Sequence, residues 1–181
     1  MKKFAVIISL FVLSIILNGC LIFHTISYDL SINEDNSGTA DVVLRDIRSD
    51  AVGNSEFEED KKNLFDYMLK SDQFIEEMKK EGKNIISRDL EVNGDTLIGK
   101  VTFKFDDISK VEGIINDAGF YFLTLPLADK IQSTNGTVVE SKDYKRILWD
   151  DKIKNLKFTM VSFEFAEENY RSLAEFYKSD N

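Results

Sequence analysis

Residues 22–44 read IFHTISYDLSINEDNSGTADVVL, and this stretch decides the fold. Every second residue from Ile22 to Ile32 is apolar, with one histidine among them, and the alternation resumes from Ala40 to Leu44. A period of two is typical of a strand that buries one face. The polar segment NEDNSG between the two runs has the composition of a tight turn. The stretch therefore predicts a β-hairpin directly at the start of the folded chain.

Outward from this hairpin, the same alternation predicts a second one. Apolar and polar residues alternate from Leu97 to Phe105, behind an Asn-Gly-Asp turn signal at 93–95 and a shorter alternating run that begins at Ile86. The continuous apolar run 120–127 predicts a covered strand, and two further strands are expected on either side of Asp150-Asp151. Because hairpins dominate, the pairing is expected to be mostly antiparallel.

Three segments have helical periodicity. The longest covers residues 57–81, where apolar residues recur at spacings of three and four. A shorter helix is predicted near 108–115, and an amphipathic terminal helix at 170–177. We therefore predict an α+β fold, in which a mostly antiparallel, twisted sheet built from hairpins has a long helix and one or two shorter helices packed on one side.

The composition restricts the possible functions. The chain has 181 residues, one Cys, one His and a formal charge of −9. This length favours a single domain, since domains contain about 100–200 residues. One Cys excludes a disulfide framework, a Cys-rich metal site and dithiol redox chemistry. An acidic chain is repelled by nucleic acid, so we expect no nucleic-acid partner.

The first residues predict the compartment. Two lysines precede a short apolar run, which ends in Leu-Asn-Gly-Cys at residue 20. This is the pattern of a signal peptide, and its end resembles the lipobox of bacterial lipoproteins. We predict a signal peptide over 1–19, cleavage between Gly19 and Cys20, and lipidation of Cys20. Residues 20–181 then form one extracytoplasmic domain, which is exported and anchored by acylated Cys20 to the cell membrane or the outer membrane.

The residues suited to catalysis do not predict an enzyme. His24 lies on the apolar side of the first strand, which favours a structural role. The pairs Asp106-Asp107 and Asp150-Asp151 would suit a hydrolase with two carboxylates, but caps and turns explain them more simply. The Asn33–Gly38 turn resembles the start of a calcium loop, yet Leu44 takes the place of the bidentate acid. We therefore expect no catalytic residue, no metal site and no cofactor; adventitious calcium binding at that turn is left open.

Large apolar side chains suggest a ligand. If the sheet and the long helix enclose a cavity, these side chains line it, and the ligand is a lipid or another apolar molecule. The candidate lining residues are Phe65, Met68, Met78, Phe103, Phe105, Phe120, Phe122, Phe158 and Phe163. We predict this function because a lipid-anchored domain meets lipids at high effective concentration. The alternative is an interaction lipoprotein with a solid core, which docks an envelope protein partner.

Three segments carry a resemblance to a known group. SYDLSINEDNSGTADVVL at 27–44, VTFKFDDISKVEGI at 101–114 and RILWDDKIKNLKFTMVSFEF at 146–165 resemble the LppM-like bacterial lipoproteins. The resemblance covers about residues 20–165. It implies a hairpin behind the anchor and a compact α+β domain that handles envelope lipids, and it offers no catalytic motif. The membrane-spanning segment that follows the domain in that group is missing here, so anchoring is expected to depend on Cys20.

Overall fold

The structure, a computed structural model, describes residues 21–162 and 170–177. Its strands are β1 Leu21–Ile32, β2 Gly38–Ser49, β3 Lys83–Asn93, β4 Thr96–Phe105, β5 Ile115–Asp117, β6 Phe120–Leu125, β7 Lys130–Thr134, β8 Thr137–Glu140, β9 Lys145–Asp150, β10 Asn155–Val161 and β11 Arg171–Ser172. Its helices are α1 Asn54–Lys62 and α2 Asp72–Lys80, with a π-helical segment at Asn63–Met68 and short 3-10 turns at Ile108–Lys110 and Ala174–Phe176. Residues 1–19, for which we predict a signal peptide, lie outside the described residues, as do Cys20 and Phe163.

The strands form two antiparallel sheets. In the larger sheet the order is β3-β4-β2-β1-β10-β7, and in the smaller one it is β5-β6-β9-β8. The predicted hairpins form β1 with β2 and β3 with β4. Strand β11 pairs with β2 at Ser49, beyond Arg45, where the pairing of β2 with β4 ends. Strand β11 therefore pairs with the end of β2 that β4 leaves unpaired.

The predicted α+β fold with a long helix is wrong, since the described chain is mostly antiparallel β and its two α-helices are short. The helical stretch breaks after Met68, and a new helix begins behind Ser71, whose hydroxyl accepts a hydrogen bond from the backbone N–H of Gln73. A serine that caps a helix start favours a new helix over continuation of the old one. Apolar spacing alone did not reveal this break.

Two further helix predictions are also wrong. Residues 108–115 contain only the short turn Ile108–Lys110, because Glu112 and Gly113 take left-handed conformations (φ 51° and 69°) in a tight turn. In that turn the N–H of Ile114 donates to the carbonyl of Val111. The terminal segment forms β11 and a 3-10 turn in place of an amphipathic helix, because β11 pairs with β2.

The two strands on either side of Asp150-Asp151 do not pair with each other. Strand β9 pairs with β6 and β8 in the smaller sheet, whereas β10 pairs with β1 and β7 in the larger one. The turn between them therefore carries the chain from one sheet to the other. We predicted a single sheet with helices on one side. The structure has two sheets, and the smaller one covers part of the larger.

The main core lies between the two sheets. It includes Tyr28, Leu30 and Phe158 from the larger sheet and Tyr121 and Trp149 from the smaller one. A second apolar cluster lies where α1 and the π-helical segment meet the larger sheet; its buried members are Leu21, Ile47, Ala51, Phe57, Leu64, Leu97, Leu173 and Ala174. The same sheet therefore has two different covers, one of strands and one of helices.

Strand β2 serves both clusters because its alternation shifts by one residue. Asp46 is in a left-handed conformation (φ 58°). Leu44 and Ile47 consequently face the same side, and both lie within 3.6 Å of the position that a Cβ on Gly99 would take. The irregularity keeps apolar side chains on the inner face up to the end of the strand.

Candidate functional site

An apolar cavity of about 310 Å³ lies on the inner face of the larger sheet, with lining residues from the strands, from the helical segment and from the turns of the smaller sheet. The floor has one side chain from each of five neighbouring strands, namely Ile85, Val101, Leu44, Ile26 and Met160 in sheet order. With strands about 4.8 Å apart, four spacings give a length of about 19 Å. Such a shape suits a chain-like ligand.

Apolar side chains of the helical segment form one wall. Met68, Phe74 and Met78 line the cavity from the π-helical segment and α2. The guanidinium of Arg88 donates to the carbonyls of Met68 and Ser71, at 2.9 Å each, and thereby holds the chain at the break between the helices. Methionine side chains adapt to ligands of different shape, since they are unbranched and flexible.

A smaller apolar cavity of about 60 Å³ adjoins the first one. Both are lined by Leu21, Ile22 and Phe23, which are the first described residues, and by Met68 and Phe74 of the wall. The start of β1 therefore lies at the cavity, directly after the predicted lipidation site.

Polar groups occur where the cavity meets the turns of the smaller sheet. The hydroxyl of Tyr28 donates to Oε1 of Glu112 at 2.7 Å. Burial raises the pKa of Glu112, while Tyr28 and Lys83 oppose the rise. Burial and then Glu112 raise the pKa of Tyr28 well above its usual value. The pair is therefore a hydrogen bond from a neutral phenol to a largely desolvated carboxyl group.

Lys83 is the cationic group of this polar end. It is 5% exposed, and its amino group lies 3.9 Å from Oε2 of Glu81. Burial lowers the pKa of Lys83, and the carboxylates of Glu112 and Glu81 counteract this. The ammonium group therefore has nearby negative charge but little contact with water.

Asp129 lines the cavity from the turn before β7. Among the described residues, its Oδ2 is the buried side-chain oxygen without a hydrogen-bond partner. Burial raises the pKa of Asp129, whereas Lys145 lowers it. Lys83 begins β3 and Asp129 precedes β7, so these groups are on opposite edges of the larger sheet. The cavity thus has unfilled hydrogen-bonding capacity on both sides.

The structure brings only part of the predicted lining set together. Met68, Met78 and Phe103 line the cavity. Phe65 packs against the second cluster, with its ring 5.9 Å from that of Tyr177, while Phe105 and Phe158 lie in the main core. Phe120 is 45% exposed, and Phe122 lies under the guanidinium of Arg146 on the outer face of the smaller sheet. Phe163, with Gly19 and Cys20, is outside the described residues.

Sequence reasoning missed the floor and the polar end. Ile26, Leu44 and Val101 were assigned to strands, but nothing in their alternation distinguishes a cavity floor from a filled core. Glu112 had a signal, since Glu-Gly inside a short apolar run favours a turn. Lys83 and Asp129 had none, because a single charged residue beside a strand is most often solvated.

The acidic pairs and the N-terminal turn have structural roles. Asp107 accepts a hydrogen bond from the N–H of Ser109, and Asp150 accepts one from the N–H of Lys152. In the first hairpin turn, Asp35 accepts from the N–H and hydroxyl of Ser37. Within residues 21–162 and 170–177, no three His, Cys, Asp or Glu side chains are grouped so as to hold a metal ion.

Helices of the described part of the chain are all too short or too polar to cross a lipid bilayer. Comparison with known proteins adds no further identification: no protein-family model, no curated protein and no solved structure matches this chain.

Proposed function

We propose that the protein is a non-enzymatic, membrane-anchored envelope lipoprotein that binds a lipid or another apolar ligand close to the membrane. The observation that carries the proposal is the cavity of about 310 Å³, whose lining is almost entirely apolar. Ligand sites in proteins measure about 300–1,000 Å³ and combine apolar walls with a few polar groups. This cavity lies at the lower end of that range and has that composition.

The size and shape of the cavity favour a chain over a compact ligand. An engineered apolar cavity of about 150 Å³ binds benzene, so roughly twice that volume accommodates a larger group. The floor crosses five strands, so the space extends about 19 Å across the sheet. An extended alkyl chain fills such a space and needs no hydrogen-bond partners along its length.

The position of the cavity supports the same function. Leu21, Ile22 and Phe23 line it, and the residue before them is Cys20, where we propose that acyl chains anchor the protein. Stable anchoring requires two or more such chains. A cavity beside the anchor is presented to membrane lipids at high effective concentration.

Native mass spectrometry tests the proposal. The mature chain from residue 20, carrying Cys20→Ser so that no acyl group is attached, is incubated with a lipid extract of bacterial envelopes and then analysed intact. We expect a bound lipid. The variant Val101→Phe, which fills the floor, should lose it, whereas Val139→Phe on the outer face of the smaller sheet should retain it. Failure to bind any component of the extract contradicts the function.

The alternative, docking of an envelope protein partner, has one observation in its favour. The outer face of the smaller sheet exposes Ile115 (49%) and Val139 (51%). Ile115 is in register with Phe122 and Leu148, and Val139 lies in the next row on the same face. Exposed apolar patches often mark protein interfaces. Crosslinking in intact envelopes distinguishes the two: a specific crosslinked protein that disappears with Val139→Glu, together with no bound lipid, would favour docking.

A further inference from the structure

The polar end of the cavity offers hydrogen bonds that the protein itself does not use. The ammonium group of Lys83 has three donors, and none of the side-chain or backbone oxygens in the described residues is its hydrogen-bond acceptor. Its nearest carboxylate, that of Glu81, is 3.9 Å away and thus too far for a hydrogen bond. Lys83 lines the cavity, so these donors are available to an acceptor on a ligand.

This end of the cavity already has two carboxyl groups beside one ammonium group. Lys83 lies beside Glu81 and Glu112, whose carboxylates act on it electrostatically. A ligand carboxylate would therefore bring a third negative group to one positive group. A ligand ammonium would be placed against Lys83 itself. Uncharged oxygens accept hydrogen bonds from Lys83 without either repulsion.

Backbone strain indicates that the position of Glu112 matters. Its left-handed conformation, with φ 51°, costs a non-glycine residue about 1–2 kcal/mol. The turn is held between Val111 and Ile114, both fully buried. Asparagine or glycine would suit this backbone better, so the glutamate is explained by its carboxyl group, which accepts from Tyr28 beside the cavity. Strained residues of this kind cluster at ligand sites.

We infer that the ligand is an uncharged acyl lipid whose head carries ester and hydroxyl oxygens, of the monoacylglycerol type, with those oxygens accepting hydrogen bonds from Lys83. The inference rests on the proposed lipid-binding function and specifies its ligand class.

Displacement of a fluorescent, uncharged apolar probe, N-phenyl-1-naphthylamine, tests this inference with the mature Cys20→Ser chain. The competitors share one alkyl chain and differ in the head: the glycerol monoester of decanoic acid, decanoate and decylammonium. We expect the monoester to bind about tenfold more tightly than either charged competitor, since decanoate brings a further negative charge to Glu81 and Glu112 and decylammonium places its cation against Lys83.

Three variants assign the effect to Lys83. Lys83→Met keeps the apolar stem, removes the donors and should weaken binding of the monoester about tenfold. Lys83→Gln keeps donors without the charge and should largely retain binding of the monoester. Lys80→Met, which removes an exposed cation at the end of α2, is the matched control and should change nothing.

The outcomes separate this inference from the function on which it rests. Decanoate binding as tightly as the monoester, or more tightly, overturns the uncharged head while lipid binding stands. Unchanged binding of the monoester in Lys83→Met overturns the assignment of Lys83. Failure of the apolar probe itself to bind the wild-type chain overturns the proposed function, and the ligand class with it.

Discussion

The two ends of the inner face of the larger sheet differ in how well they are filled. Under the smaller sheet, Leu30 and Leu156 are fully buried, and the rings of Tyr28 and Phe158 stack at 4.6 Å. Under the helical segment, the side chains of Ile26 and Val101 remain partly exposed around a cavity. One sheet with one alternation therefore forms a solid core at one end and a binding space at the other.

The covers explain this difference. Two sheets interdigitate through side chains of the same period, so the layer between them fills closely. The helical cover consists of α1, which the π-helical segment continues to Met68, and of the nine-residue α2, with a break before Ser71 between them. A cover broken in this way leaves part of the five-strand floor without a closely packed layer above it. The space they leave is the cavity.

The largest expected effect on the free energy of unfolding comes from truncating one aromatic ring in the filled core and one at the cavity. Phe105 and Phe103 are on the same strand, but only Phe103 lines the cavity. Phe105→Ala should lower the free energy of unfolding by about 3–5 kcal/mol, and Phe103→Ala by clearly less, because part of its ring already faces empty space. Urea denaturation at neutral pH measures both. Equal losses would mean that the two ends are packed alike.

Enlarging a side chain should also distinguish the filled core from the cavity, because only the cavity has space for the added atoms. Val111→Phe places a ring in the solid core and should cost about 1–3 kcal/mol, whereas Val101→Phe places it in the cavity and should cost less than about 1 kcal/mol. Thermal and urea unfolding of the two variants, which carry the same substitution, give the comparison directly. A large loss for Val101→Phe would show that the floor has no free space.

Lys83→Met should stabilise the chain by about 1 kcal/mol at neutral pH, since it removes an ammonium group that burial disfavours and whose nearest carboxylate is 3.9 Å away. Burial lowers the folded-state pKa of Lys83 below the usual 10.5. Its penalty is therefore complete below the folded pKa, and it disappears as the pH rises through that value toward the unfolded pKa. The advantage of the variant should accordingly shrink as the pH approaches 10.5.

Unfolding curves at pH 7 and at increasing alkaline pH measure this change, with Lys80→Met as the control. A variant that is less stable than the wild type at pH 7 would show that Lys83 has partners that stabilise its charge.

The smallest effect is expected on the outer face of the larger sheet. Glu91 and Lys100 form an ion pair there, with about half of each side chain exposed. Glu91→Gln should change stability by less than about 0.5 kcal/mol, because water screens such pairs. The pair also lowers the pKa of Glu91. A loss comparable to that of Phe103→Ala, seen in urea denaturation, would contradict the view that the inner face dominates stability.

Strands were predictable to a greater extent than helices. The two hairpins of β1 with β2 and β3 with β4 follow from alternation and turn residues, which are local signals. The long helix did not form because Ser71 caps a new helix start, and the helix near 108–115 did not form because Glu112 and Gly113 make a turn. In both places a local backbone preference outweighed the apolar spacing.

The candidate site was predictable in kind but only partly in composition. Apolar side chains on strands and helix indicated a possible cavity, and Met68, Met78 and Phe103 do line it. Phe105 and Phe158 have the same alternation as Phe103, yet they lie in the solid core. A given strand position is covered either by the smaller sheet or by the helical segment. This depends on residues far away in the chain, so a local sequence pattern does not predict it.

The sequence by itself determined which side chains of β1, β2 and β4 face inward and where the first two hairpins turn, because these depend on neighbours within a few residues. It also predicts a lipid anchor at Cys20. The tertiary structure alone decided that β9 and β10 join different sheets, that the helical cover is split, and that Lys83, Glu112 and Asp129 meet one cavity. Those features arise from how distant segments share a limited apolar surface, and such competition is settled only when the whole chain packs.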